Sequence, residues 1–249
     1  MDLKSFLFQK VALPLAIRLD KFKGLDFLTV VRPEQVGLNP TLSFGYSPSS
    51  KRFLKQVLND FTIWPQDSIM DIGCGKGYAM RTMLKYRFKK VDGIELSAYI
   101  ANTARENLRK LNSIRSKIFI GDAAQFNGYD AYNFIYFFNP FPDVVMAEVM
   151  NSLSQSLERN DRELILIYMN PICDEAIISN NNFKKTGIYR RKGNWITIYS
   201  NRNYENSKVK TNKRMYQITE DSALLNELRI YLEKHPLYQK HPYPLKTIN

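Results

Sequence analysis

Short apolar runs alternate with amphipathic stretches through the middle of the chain. Ser68 to Ile72, Val91 to Glu95, Lys117 to Ile120, Tyr132 to Phe138 and Glu163 to Met169 are compact, β-branched or aromatic runs, which suits strands covered on both faces. Between them, Tyr78 to Tyr86 and Ala98 to Leu111 have helical spacing, the latter with Ile100, Ala104 and Leu108 on one side. Asp143 to Leu157 predicts a helix facing inward through Val144, Val145, Val149, Leu153 and Leu157, and Cys173 to Ser179 a short one. Strand and helix alternating from Ser68 to Ser179 predict an α/β fold, a parallel sheet with helices on both faces. Lys184 to Arg191 and Trp195 to Ser200, parted by Lys192-Gly193-Asn194, then predict a hairpin that adds an antiparallel strand.

Both ends depart from this rhythm. Residues 1–44 read as an N-terminal extension, in which Met1 to Phe22 carries Leu3, Phe6, Leu7, Val11, Leu13, Leu15, Ile17, Leu19 and Phe22 interleaved with Lys4, Lys10, Arg18, Asp20 and Lys21. Its longest uncharged run, Val11 to Ile17, is far below the ~20 apolar residues of a membrane span. Two readings stand: a helix packed on its own domain, or an interfacial helix that meets a membrane or a partner. Ser49 or Ser50 is placed to cap a helix running to about Phe61. Residues 45–200 form the predicted domain. Residues 201–249 are a basic tail with one amphipathic helix expected over Asp221 to Lys234.

The formal net charge is +12, which bears on partners and not on fold. Two cysteines, Cys74 and Cys173, are too few for a disulfide framework, and no signal-peptide pattern stands at the start, so a cytoplasmic setting is expected. No His falls in the sheet region, since His235 and His241 lie in the tail. No Cys/His cluster has metal-ligand spacing and no Ser-His-Asp set favours hydrolysis, so no metal is expected.

Asp71-Ile72-Gly73-Cys74-Gly75-Lys76-Gly77 joins a strand to a helix. Glycines there let bare amides approach a ligand. The spacing Gly-x-Gly-x-Gly differs from the dinucleotide Gly-x-Gly-x-x-Gly, which faces a pyrophosphate. An acid just before the glycines suits an ammonium group. Glu95, ending the second strand, is placed for ribose hydroxyls, and Asp122 in Gly121-Asp122-Ala123, after the third, for an adenine amino group.

These segments resemble the class I S-adenosylmethionine-dependent methyltransferases. Asp71 to Gly77 resembles their first motif, Val91 to Ser97 their second, Gly121 to Ala123 their adenine-contacting third, and Asn139-Pro140-Phe141-Pro142 their fourth. The resemblance spans roughly Gly45 to Ser200. It is nearest to a bacterial methyltransferase-like set with Tyr-x-Pro before the first helix, here Tyr46-Ser47-Pro48, and Asn-Pro after strand five, here Asn170-Pro171. It implies a Rossmann-like seven-stranded mixed sheet with its last strand antiparallel. It implies S-adenosyl-L-methionine held by Asp71, Gly73, Cys74, Gly75, Gly77, Glu95, Leu96, Asp122, Ala123 and Asn139. In amino-group methyltransferases an Asn/Asp-Pro-Pro-Tyr/Phe motif accepts hydrogen bonds from the target NH₂. By that likeness Asn139, Pro140 and Phe141 are the catalytic candidates, although one proline precedes the aromatic here in place of two. Tyr46 and Phe141 are candidates to line the acceptor site. Tyr46, Asp143 and Glu148 are the candidate bases, should an alcohol acceptor need one.

Arg190, Arg191 and Lys192 occupy the hairpin turn near Tyr189, Trp195, Tyr199 and Tyr204. Arg190 and Arg191 are candidate contacts to an anionic acceptor, and a solvated basic edge is the competing reading. The expected function is methyl transfer to N or O of a small-molecule or glycan acceptor. RNA or protein N-methylation, a nicotinamide oxidoreductase and a non-catalytic cofactor-binding protein are the alternatives.

Overall fold

The structure, a computed structural model, describes residues 8–191 and 193–202 together with Glu227 and Ile230. The sheet has the predicted seven strands, β1 (Ser68–Ile72), β2 (Lys90–Glu95), β3 (Ile118–Ile120), β4 (Phe134–Phe138), β5 (Ile165–Met169), β6 (Lys184–Arg191) and β7 (Asn194–Ser200), in the order β3-β2-β1-β4-β5-β7-β6. Strands β1 to β5 pair in parallel, and β7 lies antiparallel between β5 and β6. The chain winds outward from β1 to β3, then returns to β4. The crevice above β1 and β4 is therefore the point where strand order reverses, which is where parallel α/β sheets bind ligands.

Side chains divide between the two faces with period two. Met70, Ile72, Ile135, Phe137, Leu166 and Tyr168 pack under α5 (Asp143–Arg159) and α6 (Asp174–Ile178). Ile69, Phe134, Tyr136, Ile165 and Ile167 pack under α2 (Lys51–Leu58), α3 (Tyr78–Met83) and α4 (Ala98–Lys110). Each fully covered Leu, Ile or Phe contributes about 1.5–3 kcal/mol, so the two layers hold the sheet rigid beneath the crevice.

Several local expectations differ. Ser50 takes the N-cap position of α2, but its side chain makes no capping bond. The helix ends at Leu58, short of Phe61. The helix expected to reach Tyr86 stops at Met83. Beyond it, Arg115 donates to the carbonyls of Leu84 (2.7 Å), Tyr86 (3.2 Å) and Phe88, which holds that stretch as a loop. Val144 is exposed and Met146 is fully buried in its place. The helix expected over Asp221–Lys234 lies outside the described residues apart from Glu227 and Ile230, and so do Lys192, Tyr204, His235 and His241.

The N-terminal extension begins with a π-type turn, Phe8–Ala12, followed by α1 (Leu13–Phe22). Residues 25–46 then lie against the loop after β1. Phe27 is fully buried and its amide donates to Asp20 at 2.7 Å. Val31 and Tyr46 form an antiparallel bridge, and Lys76 reaches from the glycine loop to Asp26 at 2.7 Å. Asn107 of α4 completes the clamp, accepting from the Asp26 amide at 2.8 Å and donating to the Lys76 carbonyl at 3.0 Å. Asp26→Ala leaves the buried Lys76 ammonium without its carboxylate. Removing one partner of a buried pair typically costs 3–5 kcal/mol; because Asp26 is about a third exposed, we expect about 2 kcal/mol in urea unfolding. Asp26→Asn, which keeps a hydrogen-bond acceptor, is expected to cost less.

Candidate functional site

Two adjoining cavities lie above β1 and β4. The first, of about 190 Å³, is lined by residues that include Asp71, Gly73 and Cys74 after β1, Asn139 and Pro140 after β4, and Tyr46 from the extension. The second, of about 130 Å³, is lined by residues that include Glu95, Leu96, Asp122, Ala123 and Phe141. Gly45, Gly73 and Pro140 belong to both, so they form the waist between them.

Backbone geometry makes this narrow waist. Gly73, Gly75 and Gly77 have φ of +69°, +55° and +80°, a region costly for residues with a Cβ. A Cβ on Gly73 would lie 2.3 Å from the Pro140 side chain, and one on Gly75 would lie 2.0 Å from the Tyr46 ring. The glycines are thus required by what presses on the loop as well as by its bend. Gly77 lines neither cavity; it lets α3 start close to Ala104 and Leu108 of α4.

Asp71 is buried at the floor of the first cavity, and its Oδ2 has no hydrogen-bond partner. Loss of solvent, helped by the nearby Glu95 charge, pushes its carboxyl up to about 8. Such an orphan costs about 1–3 kcal/mol, which a cationic ligand would offset. Glu95 is otherwise engaged: one oxygen accepts from the Gly75 amide at 3.0 Å and the other from the Ser97 amide at 2.9 Å. Burial raises its pKa while these amides oppose the rise. It therefore braces the glycine loop from the neighbouring strand and keeps spare lone pairs for a ligand. Asp122 spends one oxygen on the Ala124 amide at 2.9 Å and stands exposed at the mouth of the second cavity.

The two Asn-Pro pairs separate by their bonding. Asn139 and Asn170 both adopt positive φ, +43° and +53°, which Asn tolerates better than most residues. Asn170 is satisfied structurally: its Oδ1 accepts from the Trp195 amide at 3.1 Å and its Nδ2 donates to Asn194 at 3.2 Å, which ties the end of β5 to β7. Asn139 is buried with an unbonded Oδ1 in the first cavity. Both residues line the first cavity, but one ties β5 to β7 and the other keeps an unbonded oxygen.

Phe141, expected beside the acceptor, lines the second cavity and not the one that holds Asn139. Tyr46 lines the first, but its hydroxyl donates to the Phe27 carbonyl and burial pushes its pKa well up, so it serves as a wall and not as a base. Asp143 is buried at the start of α5 and Glu148 is exposed along it, and neither lines either of these two cavities. Arg190 and Arg191 line neither cavity. Arg190 pairs with Glu227 and lies 5.3 Å over the Trp195 ring, while Arg191 donates to Gln56 of α2 at 3.0 Å. The sequence did not single out Phe44, Ser47, Ser49, Tyr78 and Tyr136 for the first cavity, or Leu38, Leu42 and Ile100 for the second. Apart from Tyr78, Tyr136 and Ile100 they come from the extension and the loop that follows it, where Ser47 stood out only within Tyr46-Ser47-Pro48 and Ser49 only as a helix cap.

Residues 69–160 match the family model for a methyltransferase domain. Residues 69–160 thus carry a methyltransferase domain, and its cofactor is S-adenosyl-L-methionine. A 77-residue stretch is 34% identical to the probable cobalt-precorrin-6B C(15)-methyltransferase (decarboxylating) of Methanococcus maripaludis strain C7, covering 30% of this chain and 42% of that protein. The protein of the same name from strain C6 matches to the same extent. The chain thus spans less than half the length of these relatives. A methyltransferase from Aquifex aeolicus superposes with a TM-score of 0.47 at 14% identity, over 59% of this chain and 88% of its own. An RNA methyltransferase from Salinibacter ruber bound to S-adenosyl-L-homocysteine gives 0.47 at 14%, over 61% and 92%. The residues present fit that cofactor: an orphan carboxylate, a loop of three glycines, and Glu95 and Asp122 beside the second cavity. Among the described residues no helix is long and apolar enough to cross a membrane, and no cluster of acids, His and Cys is suited to a metal.

The raised Asp71 pKa gives a signed test. A carboxyl whose folded pKa exceeds its unfolded 3.8 adds stability fully below that pH and loses it as the pH rises towards 8. Asp71→Asn never ionises, so at pH 8 its ligand-free melting temperature should exceed wild type by a few degrees, with the gap closing near pH 4. An ammonium group brought against wild-type Asp71 at pH 7 would make the carboxyl release a proton. Calorimetry of S-adenosylhomocysteine binding in two buffers of different ionisation enthalpy should detect that proton, and Asp71→Asn should abolish the signal.

Proposed function

We propose that the chain transfers the methyl group of S-adenosylmethionine to a neutral N–H-bearing nitrogen of a small-molecule or glycan acceptor in the cytoplasm. The observation that carries this is the buried, unbonded Oδ1 of Asn139, a residue that lines the same cavity as Asp71. A free oxygen acceptor at that position suits an N–H donor on the incoming group.

The bound cofactor supplies an electrophilic methyl on a sulfonium. Asp71 is proposed to hold its ammonium, Glu95 its ribose hydroxyls, and Leu96, Asp122, Ala123 and Phe141 its base. Asn139 would accept one N–H of the acceptor and turn the nitrogen lone pair towards the methyl, a positioning effect that costs no base. An alcohol acceptor usually wants a base. The hydroxyls around the cavity suit that task poorly, because burial raises the pKa of Tyr46, Tyr78 and Tyr136. This favours nitrogen over oxygen.

The lining of the first cavity includes no lysine, arginine or histidine, so the reacting end of the acceptor is taken to be uncharged. Any anionic part of it would lie outside the cavity, towards the basic hairpin. Asn139→Ala should lower kcat by roughly a hundredfold. It should change the S-adenosylhomocysteine affinity by less than about threefold, as read by single-turnover transfer from labelled cofactor and by calorimetry. Equal loss of both would remove Asn139 from the acceptor's side of the site.

A further inference from the structure

We infer that α1 is a membrane-docking helix that lies on an anionic lipid surface. Its inward positions are Leu13, Ala16, Ile17 and Asp20, spaced three, one and three residues apart. They turn the opposite face to solvent, and that face is apolar. Val11, Leu15, Leu19 and Phe22 follow one another at four, four and three residues, with exposures of 56%, 55%, 53% and 90%. Four large apolar side chains in one outward stripe form a patch of a kind that single domains seldom leave in water.

The charge around the stripe points to its occupant. Lys10, Arg18 and Lys21 are exposed along one border and Lys23 follows at the helix end. Asp20, the one acid between residues 8 and 25, is turned inward, where it accepts from the Phe27 amide and lies 3.9 Å from Arg81. The outward face of α1 is thus apolar and basic with no acid, the combination that seats a helix at the boundary of headgroups and acyl chains. The net charge of +12 adds long-range attraction to the same surface. At ten residues α1 can lie in the interface but not span the membrane. A soluble partner protein would need a matching acidic, apolar groove, whereas an anionic membrane supplies both properties along its whole extent.

The test is co-sedimentation of the full chain with large vesicles, either pure phosphatidylcholine or an equal mixture of phosphatidylcholine and phosphatidylglycerol. The chain should pellet with the mixed vesicles and not with the neutral ones. Arg18→Glu and Lys21→Glu should each weaken partitioning, by about fivefold for each positive charge lost. The decisive variant replaces Leu15, Leu19 and Phe22 with Ser together. These side chains already face solvent, so unchanged S-adenosylhomocysteine affinity serves as the control for folding. Loss of vesicle binding in this variant supports the proposal. Undiminished binding would overturn it, because attraction of basic segments elsewhere in the chain would then suffice. No binding by the wild type, combined with self-association that the triple variant abolishes, would also overturn it and make a second copy the occupant.

Discussion

The site depends on one buried carboxylate that its own fold does not satisfy. Asp71 stands near the carboxyl end of β1, shut away from water, with one oxygen unbonded and the Glu95 charge nearby to discourage its ionisation. A fold seldom keeps such a group unless a ligand resolves it. The other features of the crevice follow from serving that position. The glycines remove side chains above it, Glu95 pins the loop from the next strand, and the strand-order reversal between β1 and β4 brings Asn139 to the same cavity.

The extension is part of this arrangement. Tyr46 presses on Gly75, and Lys76 is drawn from the loop to Asp26. The glycine loop is therefore held between the rigid sheet below and a strap of irregular chain above. Irregular chain can be held there because its polar groups find fixed partners. The Phe27 amide bonds Asp20, the Asp26 amide bonds Asn107, and the Tyr46 hydroxyl bonds the Phe27 carbonyl.

The sheet was legible because a strand buried on both faces must be apolar throughout, and the glycine turn at Gly73 to Gly77 breaks that pattern in one place. The acids at strand ends were legible for the same reason: Asp71 and Glu95 interrupt apolar runs. What remained hidden depends on distant contacts. Phe44 carries no local signal, and only the fold of residues 25–46 brings it over the crevice. Phe141 follows Asn139 by two residues, yet the turn after β4 sends it to the other cavity. Arg190 and Arg191 stood out as charge in the sequence, but a side chain's partners are set in three dimensions, and theirs are Glu227, Trp195 and Gln56. Asn139 and Asn170 look alike as Asn-Pro pairs, and only hydrogen bonding tells them apart.

Two modest cavities joined at Gly73 and Pro140 are here read as the two halves of one nucleoside site. A crystal structure of the protein with S-adenosylhomocysteine tests that reading most directly. The account predicts the ammonium within hydrogen-bond distance of Asp71, the base between Leu96 and Phe141, and the thioether at the waist. Density for the ligand elsewhere, or an ammonium that leaves Asp71 Oδ2 unbonded, would contradict it.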